Sequence, residues 1–217
     1  MVILLFHVNR ENYLIEKFIP RIPMLSVNEK EPKINRVCVS DTVDGCFSSV
    51  FIGGNQLQFT QYLNCFDNEG FNEEKDNGKY ARFYIYVFDS NEVEDNNLLD
   101  YNCLYENKFV EDCLITREHW ILNQEITPIE ILQIEVHDFT TVIKEHLSFE
   151  DNSFKKIAYN EKIKGRIVKR LIRSDRGEFS ECKSTTVSNC VFDDFSQKNT
   201  KNHIINLTRK YRVGFII

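Results

Sequence analysis

Residues 82–89 read Arg-Phe-Tyr-Ile-Tyr-Val-Phe-Asp, aromatic and β-branched throughout, as strands prefer. A chain that carries such a run has to supply it with neighbouring strands. Two shorter runs precede it, Val2 to Val8 and Arg36 to Ser40 (RVCVS), and two follow it, His119 to Leu122 and Glu130 to Val136, around a turn at Pro128. With 217 residues, 42% of them apolar and 28% charged, the chain can bury a real core as one compact domain or a domain with an appendage. Disorder along the whole length is excluded.

Between the first two strands, Pro20, Pro23 and Pro32 forbid a helix interior, so Phe18 to Pro32 is an extended crossing. After Ser40, the capping-type residues Asp41 and Thr42 lead into Val43, Phe47 and Val50, spaced for one face of a short helix that stops at Gly53-Gly54. Asp67 to Asn77 and Glu92 to Asp100 are acidic, Asn-rich loops. Asp138 to Leu147 fits a helix with Val142 and Ile143 on one face, and Tyr211 to Ile217 reads as a final strand.

Net charge divides the chain. Residues 1–149 carry 12 Lys and Arg against 25 Asp and Glu, a balance of −13, whereas residues 150–217 carry 15 against 8, a balance of +7. The expected organisation is therefore a body over 1–149 and a basic C-terminal extension over 150–217. In the extension, Ile163, Ile167 and Leu171 recur at i, i+4 and i+8 within Lys162 to Arg176, which predicts an amphipathic basic helix. Its cations, Lys169, Arg170 and Arg173 foremost, have two possible destinations: the acidic body, or a polyanion such as nucleic acid. No aromatic residue lies within that stretch to stack on a base.

No run approaches the ~18 consecutive apolar residues of a membrane span, and the apolar opening breaks at His7, Asn9 and Arg10. The expectation is a soluble, cytoplasmic protein without a membrane partner. Seven cysteines, with no C-x-x-C pair, point to reduced, mostly buried thiols rather than to disulfides or a zinc site, and His119 beside Glu118 lacks metal-ligand spacing.

Polar residues at the ends of apolar strands line clefts. His7, Ser40 and Glu118 hold such positions; their ordinary readings are a hydrogen-bonded core histidine, a helix cap and a solvated carboxylate. Their order along the chain, in LFHVNR, then RVCVSDTVDGCFSSV with its following helix, then EHWILNQEITPIEILQIEV, resembles the ADP-ribosyltransferase superfamily in its His–Tyr–Glu-like and RNA-phosphotransferase-like branches. The resemblance covers roughly residues 1–140; PRIP, RVCVS and the Gly-Gly helix end are also similar to proteins of low-GC bacteria and their phages.

What the resemblance implies is an α+β fold on a mixed, split β-sheet and a transfer of ADP-ribose from NAD to a macromolecule. His7 would hold the nicotinamide-side ribose, Ser40 would orient the nicotinamide, and Glu118 would stabilise the oxocarbenium-like state. Arg21 and Arg36 would pair with the dinucleotide phosphates, unless the body's own carboxylates take them. The competing expectation is a non-catalytic, phage-borne interaction protein that acts against a host defence nucleoprotein complex, as an anti-CRISPR does.

Overall fold

The computed structural model describes residues 3–9, 13–23, 31–50, 81–149, 154–182 and 191–193. In chain order the elements are β1 (Leu4–Asn9), β2 (Arg36–Ser40), α1 (Val43–Val50), β3 (Ala81–Asp89) and β4 (Leu98–Leu99), then α2 (Tyr101–Glu106), α3 (Cys113–Thr116) and β5 (Glu118–Leu122). After these come β6 (Glu130–Leu147), β7 (Phe154–Arg173), β8 (Phe179–Glu181) and β9 (Val191–Asp193). One sheet takes the strands in the order β4, β5, β2, β1, β3, β6, β7, β8, with β9 also on β7. Every pairing among the described residues is antiparallel, where a mixed sheet was expected. The result is an antiparallel sheet with a few short helices, at the β-rich end of the α+β class.

The largest departure from expectation is the C-terminal half. Lys162 to Arg176 is not a helix: residues up to Arg173 belong to β7, which pairs with β6 along its length. Asp138 to Leu147 is likewise strand rather than helix, as the outer part of β6. The change of charge at residue 150 therefore falls in the connection between two paired strands. Gly53-Gly54, Asp67 to Asn77 and Tyr211 to Ile217 lie outside the described residues.

Directly paired residues in an antiparallel sheet point to the same face, and the face alternates along each strand. One face carries Phe6, Val8, Phe83, Ile85, Val87, Leu132 and Ile134, closed by Val43, Cys46 and Phe47 of α1. The other carries Leu5, Val37, Val39, Tyr86, Phe88, Ile121 and Ile131, closed by Phe18 and Ile126. A third cluster lies at the β5 edge, where Trp120, Leu104 of α2 and Cys113 of α3 are buried together.

β1 and β2 share a single register pair, Phe6 with Ser40. In the described part of the proline-rich crossing no residue is helical, and bridges from Phe18 to Ile126 and from Arg21 to Arg36 tie it to the sheet. Where β2 loses its neighbour, the Cys38 carbonyl lies 2.8 Å from His7 Nδ1. A carbonyl only accepts, so that nitrogen carries the proton and the imidazole takes the place of a missing backbone donor.

The Ser40 to α1 corner is closely packed. A Cβ on Gly45 would lie 2.0 Å from the Thr116 carbonyl oxygen, 2.5 Å from Ser40 Oγ and 2.7 Å from Thr42 Oγ1. Gly45→Ala is therefore expected to cost about 2 kcal/mol or more, as overpacking against backbone does. Chemical denaturation of the variant checks it; an unchanged midpoint would mean that α3 is not seated on α1.

Candidate functional site around Glu118

The register brings two of the three strand-end residues together. Ser40 lies directly opposite Glu118 on neighbouring strands, so both side chains share the α1 face of the sheet. His7 follows Phe6, the partner of Ser40, and so points to the other face. There it meets Phe18 edge-on at 5.0 Å and Tyr86 at 6.2 Å. Burial lowers its pKa, outweighing the hydrogen bond to Cys38, with the charge of Arg21 acting in the same direction as burial. His7 is thus a neutral, packed imidazole, and it does not converge with Glu118.

Ser40 is buried and already occupied. Its hydroxyl donates to the Thr116 carbonyl at 2.8 Å and accepts from the Thr42 N–H at 3.1 Å, which fixes the end of β2 against α3 and the start of α1. The side chain that caps α1 is that of Thr42, whose Oγ1 accepts from the Gly45 N–H at 3.2 Å, and Ser40 holds the turn before it.

Glu118 is the group with unusual chemistry. Period two on β5 puts Trp120 on the same face, and Trp120 Nε1 donates to Glu118 Oε1 at 2.7 Å. Burial lifts the Glu118 carboxyl to about 7; hydrogen bonds from Trp120 and Cys38 pull it down, while Asp112 and Glu31 push it further up. The neighbouring Cys38 thiol is itself pushed well above its ordinary value, first by burial and then by the Glu118 charge. Near neutral pH this carboxyl divides its time between acid and base, the state that suits proton transfer. Nothing in the sequence reading singled out Trp120 or Cys38; two-residue spacing on one strand was the available signal for Trp120.

Arg36, expected on a dinucleotide phosphate, is held inside the protein. Its guanidinium pairs with Glu31, donates to the Pro32 carbonyl at 3.1 Å, and lies 3.9 Å from the Trp120 ring centroid. The ring in turn stacks on Phe109 at 5.6 Å. Arg21 meets Arg36 through backbone hydrogen bonds and is exposed.

At the end of β5, Arg117 takes a left-handed backbone, φ 57°, and stacks on Tyr101 at 4.0 Å while pairing with Asp41. Burial opposes ionisation of Asp41, but His119 and Arg117 beside it outweigh burial and hold it at about 2. His119 is buried, with Nε2 3.9 Å from Asp41 Oδ2.

The expected partner-binding cations of β7 are each paired with a carboxylate of the protein. Arg170 and Glu130 form a buried pair, Arg173 pairs with Glu92 and donates to the Thr127 carbonyl at 3.0 Å, and Lys169 lies 3.6 Å from Glu181 in an exposed pair. The register continues the pattern outward: Glu135 stands opposite Arg166, Asp138 opposite Lys164 and Glu145 opposite Lys156.

Among the described residues no group of three or more His, Cys, Asp or Glu is placed to hold a metal ion, and no helix is long and apolar enough to cross a membrane. Comparison of the chain with known protein families, with curated proteins and with solved structures finds no match.

Proposed function

We propose that the chain is a non-catalytic binding protein whose partner is a protein docked on residues 13–23. The observation that carries this is the outward side of that segment. Tyr13, Ile19 and Ile22 are 58%, 61% and 47% exposed, while Phe18 between them is buried and two backbone bridges hold the segment in place. A firmly held group of Tyr and Ile in water, with Lys17 and Arg21 among them, is the composition of an interface anchor. The chemistry of the strand ends agrees: Ser40 ties β2 to α3 and to the turn before α1, His7 bonds the Cys38 carbonyl between β1 and β2, and Arg170, Arg173 and Lys169 pair with Glu130, Glu92 and Glu181. In this reading the partner is a component of a host defence complex, and the chain is a phage-borne inhibitor of it.

A second reading, transfer of ADP-ribose from NAD, is favoured by one observation: Ser40 stands opposite Glu118, whose carboxyl lies at about 7. Incubation with millimolar NAD separates the two. No nicotinamide release is expected; release that disappears in Glu118→Gln would replace the binding reading with the transferase one. On the binding side, Ile19→Glu with Ile22→Glu is expected to leave the melting temperature within about 2 °C of wild type, as exposed substitutions do, and to abolish the biological inhibition. Retained inhibition in that variant would move the interface elsewhere.

A further inference from the structure

We infer that the groove at the turn between β7 and β8 binds a small phosphorylated molecule of nucleotide size, a site that goes beyond the protein-binding reading and does not depend on it. The groove is a shallow depression, open to solvent along one side, of about 800 Å³. Its walls come from the start of β6, with Thr127, Ile129 and Glu130, and from the end of β7 and its turn, with Ile172, Arg173 and Arg176. Gly177 takes φ +83°, and a Cβ there would meet nothing within 4 Å. Its N–H goes to the Ser174 carbonyl at 2.9 Å, and the Ser174 N–H goes to Glu178 at 2.8 Å. The N–H groups of Asp175 and Arg176, at the centre of the turn, make no backbone hydrogen bond among the described residues.

The charges of the lining are unevenly committed. Arg170 lies deep and is neutralised by Glu130, so this pair forms a rigid, uncharged base. Arg173 is held by the Thr127 carbonyl and Glu92 and remains partly exposed, whereas Arg176 stands on the exposed turn. Two guanidinium groups near one rim suit a phosphoryl group, because each can offer paired N–H donors. Ile129 and Ile172 beside them suit the apolar or planar body that such a ligand carries. Asp175 on the same turn sets a limit, since it disfavours a highly charged polyphosphate relative to a monoester.

Titration of the full chain with adenosine monophosphate, adenosine and inorganic phosphate, followed by calorimetry at low and at moderate salt, tests the site. Saturable binding of the monophosphate is expected, weaker binding of phosphate alone, and no binding of adenosine. Arg176→Gln, on an exposed turn, is expected to keep the wild-type melting temperature and to weaken the monophosphate by about tenfold, the worth of one charge-assisted contact. Arg173→Lys should weaken it too, since an ammonium cannot reproduce the fork. The inference falls if no saturable binding occurs up to roughly 5 mM, a free energy too small for a built site. It also falls if adenosine binds as well as its monophosphate, or if Arg176→Gln binds like wild type.

Discussion

Replacing Glu118 with Gln will make the protein more stable at pH 8, and this gain will vanish at pH 4. The carboxyl ionises at about 4.5 in an ordinary setting and at about 7 here. Between those values the folded protein holds a proton that the unfolded chain has released, so stability falls as pH rises through that window. The folded protein therefore bears the full penalty above pH 7 and none below about 4.5. A shift of this size corresponds to about 3 kcal/mol, and partial exposure of the side chain reduces the expected effect to about 2 kcal/mol. Gln keeps the size and the carbonyl oxygen that accepts from Trp120 Nε1, while it removes the charge. Urea denaturation of both proteins from pH 4 to pH 8.5 reads the result directly. A variant that is less stable than wild type at pH 8 would show that the ionised carboxylate stabilises the fold and that its pKa is lowered rather than raised. The same variant is the control for the NAD experiment, because a loss of turnover in a more stable protein could not be blamed on unfolding.

Much of this fold was legible from local composition, and the failures share one cause. The runs at residues 2–8, 36–40, 82–89 and 119–122 are short, β-rich and bounded by polar residues, and the structure places β1, β2, β3 and β5 over them within two residues at each end. Ile163, Ile167 and Leu171 in β7 are four apart, a spacing that fits a helical face. Four is also an even number, so the same spacing fits one face of a strand. The stretch Lys162-Ile163-Lys164-Gly165-Arg166-Ile167 alternates polar with small or apolar residues at period two, and that alternation was the better guide. Irregularities between Gln133 and Ile134, Val136 and Asp138, and Thr140 and Thr141 break the matching alternation on β6. A broken period two, with Val142 next to Ile143, passes for a helical pattern when it is read without its partner strand.

The candidate site divides along the same line. That Ser40 and Glu118 meet follows from strand ends and strand order, which sequence carries weakly. That His7 faces away follows from parity: Phe6 pairs with Ser40, so its neighbour must point to the other side. Parity relative to a distant strand needs the register, and residues 41–117 separate Ser40 from Glu118 without fixing it. The roles of Arg36 and Arg173 depend on carboxylates at Glu31 and Glu92, of which only the first is near in sequence.

The buried pair of Arg170 and Glu130 supplies the second large effect. Both side chains are almost completely shielded, 5% and 7% exposed, so removing one leaves the other as an uncompensated charge among Leu132, Ile172 and their neighbours. Arg170→Ala is expected to cost about 3–5 kcal/mol, the usual price of breaking such a pair. Arg170→Met with Glu130→Leu should recover most of that loss, since it removes both desolvated charges and keeps apolar volume at the site. Arg173→Ala is expected to cost less, on the order of 1 kcal/mol, because its partner Glu92 is exposed and regains water. Denaturation of the three variants and the wild type completes the comparison. If the cations of β7 served an external polyanion instead, all three would unfold like wild type and differ only in binding. A double variant as unstable as Arg170→Ala alone would locate the loss in packing around the arginine stem rather than in the stranded carboxylate.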